Sequence, residues 1–276
     1  MSPTSVGGGG DGPAEWRRRG ALRPDLVPSD VLESLQDGSL ETVNFMEQFA
    51  IDLDKLLAAR LPEARHADLT EYLPLKGRLT SAGQHLLRQV GADAVHRRVA
   101  SECDTIRAVG GLAIGHAVGI PPSERLRMLK PFAEDSHFAV REWAWIGLRD
   151  SLGEDVVSLI PELVVWAENW SERTRRFASE ILRARGVWCR HLRAVRDDPG
   201  VAMSVIERLR ADPSSYVQAS VGNWLNDASA RHPVWVESVC ARWTTENLGA
   251  ATALITRRGL RTIRKTQAKA VRVPNS

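Results

Sequence analysis

The chain has 276 residues, 43% of them hydrophobic and 26% charged, with a formal net charge of +3. That length supports a sizeable core, as one large domain or an elongated repeat array, and the composition is that of an ordinary soluble protein. The apolar residues form no run long enough for a transmembrane helix, Cys103, Cys189 and Cys240 are too scattered for a disulfide framework or a zinc site, and the histidines show no paired ligand spacing, so no metal or cofactor is expected.

Residues 1–22, with Gly7–Gly10 and Arg17–Arg19, read as a polar, disordered tail without the apolar centre of a secretory signal, so a reducing cytoplasm is the expected compartment. Order is expected from about Pro24, with Asp30 capping the apolar run Val31, Leu32, Leu35. Val43, Met46, Phe49, Leu53, Leu56 and Leu57 then continue at helical spacing, and no alternating strand pattern bounded by hairpin turns follows anywhere.

A repeat carries the middle of the chain. The segment Pro131-Phe-Ala-Glu-Asp-Ser-His-Phe-Ala-Val-Arg-Glu-Trp-Ala is echoed from Val165, again from Leu209, and more faintly before them from Glu102. Each unit reads as helix, acidic turn, second helix, with Asp135, Ser171 and Asp212 or Ser214 where an N-cap belongs. The period is that of helical-hairpin solenoids, and Asp and Arg around the turn favour a HEAT-like, all-α superhelix with a concave basic groove. In this register Glu180 aligns with Ile146 before it and Asn223 after it.

Residues 173–188 concentrate the chemistry. Arg173, Arg176, Glu180 and Arg183 share one helix face, while Phe177, Ile181 and Ala184 take the adjacent, core-like face. From Ser171 to Arg196 eight arginines face two carboxylates, and the end of the chain repeats the bias with Arg257, Arg258, Arg261, Arg264, Lys265, Lys269 and Arg272. Such stripes suit a surface that tracks phosphates, or equally a solvated face. Asp227 lies four residues beyond Asn223 on the next repeat, and Trp143, Trp145, Trp188 and Trp224 lie on or beside these helices. Eight of the nine tryptophans fall between 143 and 243, where they can hold a cation or a base by their faces or simply fill the core between repeats.

The segments Arg175-Arg-Phe-Ala-Ser-Glu180, Arg183-Ala-Arg-Gly-Val-Trp188 and Asp212–Asp227 closely resemble the AlkC/AlkD-type DNA alkylation repair glycosylases, nearest the AlkC branch, over roughly residues 126–265. The helical pattern sets a HEAT-like solenoid at 23–265, with the family-matching repeats at 126–265, followed by a basic tail at 266–276. The resemblance implies excision of cationic N-alkylated purines of the 3-methyladenine or 7-methylguanine type from duplex DNA, without metal or cofactor. It places the family's Ser-Glu on Ser179-Glu180, its tryptophan on Trp188 and its Asn-Asp on Asn226-Asp227. His137 stands where the AlkC branch carries a glutamate, which makes it a third catalytic candidate beside Glu180 and Asp227. Ile181 and Ala184 depart from the family's small residue and proline. Trp143, Trp145, Trp188 and Asn223 are then candidates for contact with the damaged nucleotide, and Arg141, Arg173, Arg176, Arg183 and Arg185 for gripping phosphates. A monomer without an obligate protein partner is expected. The departure at His137 leaves room for a non-catalytic relative that recognises bent, branched or damaged DNA. A HEAT-type protein scaffold would place no demand on Glu180 or Asp227.

Overall fold

A computed structural model describes residues 18–66, 73–186, 188–246 and 249–271, the last three of these as backbone. Residues 1–17 of the expected tail and 272–276 of the C-terminal tail lie outside the described residues. From Arg18 the chain is held, since the Arg18 guanidinium pairs with Glu47 and donates to the Glu41 carbonyl at 3.0 Å.

Every described regular element is helical. In chain order the α-helices are α1 (Ser29–Gln36), α2 (Phe45–Ala50), α3 (Leu53–Arg60), α4 (Leu75–Val90), α5 (Ala92–Val99), α6 (Asp104–Gly115), α7 (Pro122–Met128), α8 (Lys130–Ala133), α9 (Phe138–Leu152), α10 (Ile160–Ala167), α11 (Glu172–Ile181), α12 (Arg193–Asp197), α13 (Met203–Ile206), α14 (Ser215–Ala228), α15 (Pro233–Glu246), α16 (Ala250–Gly259) and α17 (Arg261–Val271). Helices α4, α6, α9, α11, α14 and α16 form one layer in which each packs on the next, and α5, α8, α10, α13 and α15 lie behind as the second layer. This is a HEAT-like stack, as the repeat predicts. The segment assigned to a basic tail from residue 266 continues α17 as far as Val271.

Two sequence devices set the stack. The first is a turn that recurs before each first-layer helix. Asp135, Asn169 and Asp212 each accept the backbone N–H two residues on, from His137, Ser171 and Ser214. Those three are the N-caps, and each accepts in turn from the N–H two residues further. The cap expected at Asp135 therefore falls two residues later, at His137, and of Asp212 and Ser214 the cap is Ser214, because the carboxylates stabilise the turn that precedes the helix. The second device is close approach. A Cβ at Gly115 of α6 would lie 2.6 Å from the α9 backbone at Gly147 and Leu148, so only glycine admits that crossing.

The core between layers holds Trp143, Trp224 and Trp243, each at most 1% exposed. Their indole N–H groups are all satisfied, by Gln48 at 2.8 Å, the Leu182 carbonyl at 2.9 Å and Glu207 at 2.9 Å. The N-terminal helices close the stack near α9 rather than extending the repeat. The buried Asp104 carboxylate accepts from the Thr42 hydroxyl at 2.7 Å, and Gln48 donates to Thr105 at 3.2 Å.

Candidate functional site

On α11, Arg176 and Glu180 stand at i and i+4 on one face, and Arg183 follows just past the C-cap Leu182. The flanking first-layer helices supply a carboxylate on either side. Arg176 Nη2 donates to Glu142 Oε1 of α9 at 2.9 Å, and its Nη1 lies 3.1 Å from Glu180 Oε1. Arg183 Nη1 donates to Glu180 Oε2 at 3.1 Å, and its Nη2 lies 2.7 Å from Asp227 Oδ2 of α14. The result is an alternating run, Glu142–Arg176–Glu180–Arg183–Asp227, across three consecutive helices.

Each end of this run differs from its middle. Glu180 is 1% exposed, and although its Oε1 has the ion-pair contact with Arg176, it makes no hydrogen bond among the described residues. Asp227 is anchored through Oδ2 alone, leaving Oδ1 without a partner among the described residues. Burial, reinforced by Glu180, pushes the Asp227 carboxyl up, against the pull of Arg183 and Arg185. Burial and then Glu180 likewise push Glu142 up, while Arg176 and the Trp145 N–H at 3.1 Å hold it down. Arg176 and Arg183 are raised, the neighbouring carboxylates outweighing their own burial.

Tyr216, the second residue of α14, supports the arrangement. The Arg176 guanidinium lies over its ring at 4.2 Å from the centroid and Arg141 at 5.3 Å, and Arg141 Nε donates to its hydroxyl at 3.1 Å. Beneath the run, Arg149 is 1% exposed, donates to the Arg190 carbonyl at 2.9 Å, and leaves Nε and Nη1 without partners among the described residues. Burial lowers its pKa, and Cys189, Glu180 and Asp227 work against that.

Glu180 and Asp227 are thus brought together, on one guanidinium. Trp188, at 36% exposure, packs instead on Phe49 at 5.5 Å and Phe45 at 6.2 Å between centroids. Other expectations need correction. His137 does not join the acids: its Nδ1 accepts from Ala139 N at 3.2 Å and its Nε2 donates to the Thr42 carbonyl at 2.5 Å, so it is a helix cap tied to the N-terminal segment. Trp143 and Trp145, at 1% and 6% exposure, are core residues and offer no face to a nucleotide. Asn223 turns to α16 and α17, where its Oδ1 accepts from Arg258 at 3.0 Å and Arg261 at 2.9 Å.

Most of the expected phosphate stripe is occupied within the protein. Arg173 donates to the Glu134 carbonyl at 2.6 Å, Arg141 to the Asp135 and Ser136 carbonyls at 2.7 and 2.8 Å, and Arg176 and Arg183 belong to the run, leaving Arg185 exposed. Glu142, Arg149 and Tyr216 escape a sequence reading that looks for carboxylates in the register of Glu180. The signal that finds two of them is the repeat itself, which sets Glu142 against Arg176 and Arg149 against Arg183.

No protein-family model matches the chain. It is 34% identical over 122 residues to YhaZ of Bacillus subtilis, a protein described only as uncharacterized; the match covers 44% of this chain and 32% of that one. Among solved structures, smu.31 of Streptococcus mutans UA159 covers 67% of the chain at 19% identity and a TM-score of 0.48. The alkylpurine DNA glycosylase AlkC of Pseudomonas fluorescens, bound to DNA containing an abasic site analog, is similar over 70% of this chain at 25% identity and a TM-score of 0.55. The chain is similar in its helical-repeat fold to the AlkC/AlkD-type HEAT-like proteins. It spans 54% of that AlkC chain and about a third of YhaZ. Among the described residues no helix is long and apolar enough to cross a membrane.

Proposed function

We propose that this AlkC/AlkD-type protein is a DNA glycosylase that hydrolyses the N-glycosidic bond of cationic N-alkylated purines in duplex DNA. The observation that carries the reading is the pair Glu180 and Asp227 on Arg183, each with an oxygen free of hydrogen bonds to the described residues. Alkylation at N3 or N7 gives the base a positive charge, so the bond's electron pair leaves with the base and neutralises it. The sugar left behind has oxocarbenium character, which a nearby carboxylate stabilises. On this reading Asp227 Oδ1 orients a water toward C1′ and takes its proton as the new C–O bond forms. Glu180 adds negative charge behind it, and the two arginines fix both carboxylates against movement. The likeness to a DNA-bound alkylpurine glycosylase supports the same reading.

The test is base release from randomly methylated duplex DNA by the wild type and by Glu180→Gln and Asp227→Asn. Release by the wild type that drops at least about tenfold in each variant, a cost of about 1.4 kcal/mol in the barrier, is expected. Unchanged release in both removes the pair from the chemistry.

A second reading is favoured by the closure of Glu180, which at 1% exposure is withdrawn from solvent. On this reading the run is a structural brace and the protein binds bent, branched or damaged duplex without cutting it. A wild type that binds such DNA and releases no base decides for it.

A further inference from the structure

We propose that the recess between α14 and α16 is where this protein grips the sugar–phosphate backbone of duplex DNA, through Arg257, Arg258 and Arg261. The inference rests on the DNA reading above, and it locates a backbone contact that the arginines of α11, turned inward, do not supply. The recess is walled by Ser215, Gln218 and Ala219 of α14 and by Leu254 and the arginines of α16 and α17, with no carboxylate in its lining.

The charge pattern there differs from that of the carboxylate-paired arginines of α6 and of the run around Glu180. Arg107 is answered by Glu41 and Asp135, Arg175 by Asp212, Arg176 by Glu142 and Glu180, and Arg183 by Glu180 and Asp227. None of Arg257, Arg258 and Arg261 pairs with a carboxylate among the described residues, and all three are exposed. Arg258 Nε and Arg261 Nη1 instead donate to the same amide oxygen, Asn223 Oδ1, at 3.0 and 2.9 Å. A neutral amide fixes the two guanidinium groups side by side without cancelling their charge, an arrangement whose mutual repulsion an anion relieves.

The backbone makes room for it. A Cβ at Gly222 would lie 2.7 Å from Arg258 Cβ, so the glycine lets the arginine stem lie flat on α14. Planar guanidinium forks match phosphate oxygens in pairs. Exposed Lys265, one turn beyond Arg261, carries the line on along α17, which suits successive phosphates of a strand better than one small anion.

The experiment is a titration of labelled, undamaged duplex by fluorescence anisotropy over a salt series. It compares the wild type, the double variant Arg257→Gln/Arg261→Gln, the charge-keeping Arg257→Lys/Arg261→Lys, and a control pair, Arg127→Gln/Arg208→Gln. The control removes the same charge from arginines already paired with Glu124 and Glu168. The glutamine variant is expected to lower the slope of log K against log salt by about 1.8, at about 0.9 per lost phosphate contact. The lysine variant should keep most of the slope, and the control all of it. Equal slopes for the wild type and the glutamine variant overturn the proposal, and if the wild type still releases methylated bases the DNA reading survives that failure. A wild type that neither binds duplex nor releases bases overturns both.

Discussion

Burial is the larger cause that holds the Asp227 carboxyl above its ordinary value of 3.8, with Glu180 adding to it and Arg183 opposing. A carboxyl raised by folding binds more protons in the native than in the unfolded chain between the two pKa values. Native stability therefore falls as pH rises through that window, and the ionised form is carried at a cost above it. The proposed hydrolysis needs the ionised form nonetheless, since a neutral acid neither stabilises an oxocarbenium-like sugar nor takes a proton from water. Base release should accordingly rise with pH along a limb that lies above 3.8, and Asp227→Asn should lose the limb together with the activity. The same substitution should flatten the decline of urea midpoints with rising pH, because the penalised charge is gone. A wild-type limb at or below the ordinary value, read from rates of base release across pH, would count against Asp227 as the group that must ionise.

The elements repeat a local device that sequence alone reveals only in part. Ser171 and Ser214 are familiar caps, and the repeat register places His137 in the same slot, but its position where the AlkC branch carries a glutamate suggested chemistry. The structure shows why a histidine serves: Nδ1 accepts from the helix while Nε2–H reaches the Thr42 carbonyl, which a serine is too short to do. His137→Ala should therefore destabilise by about 1 kcal/mol through the lost cap, with a further cost from the unpaired Thr42 carbonyl. His137→Asn should recover the cap. Urea unfolding of the two variants measures this, and base release per folded molecule should stay at the wild-type level in both. A selective loss of release in His137→Asn would return the residue to the site. Helical stacking and the placement of Glu180 beside Asp227 were legible because both follow from period and register. Glu142 was passed over, since within Arg-Glu-Trp-Ala it looks like a surface charge; the repeat register aligns it with Arg176, and the packing of α9 on α11 turns that alignment into contact.

At the scale of the molecule, the helices before the repeats reach Trp143 and Trp188 from outside the repeat pattern. The sequence read them as helical context, because nothing in Val43, Met46 and Phe49 says which surface they cover. In the structure α2 lies against α9 through Gln48 and Trp143, and its Phe45 and Phe49 hold the partly exposed Trp188, which follows α11. Phe45 also meets Phe138 edge-on at 5.2 Å and Trp143 at 6.0 Å, so one aromatic cluster joins the N-terminal segment, the cap end of α9 and the loop after Glu180. Removing Phe49 therefore acts at two places. Phe49→Ala should destabilise by about 2 kcal/mol, the transfer value for a largely buried ring, and should leave Trp188 without its nearest aromatic neighbour. Trp188→Ala, whose ring is already partly in solvent, should cost less stability and weaken binding of DNA that carries a methylated base relative to undamaged duplex. If Phe49→Ala, measured well below its unfolding transition, shows the same loss of damage preference as Trp188→Ala, the N-terminal helices position the tryptophan as well as seal the core. If the preference is intact when the ring support is gone, Trp188 holds its place from its own loop and α2 serves stability alone.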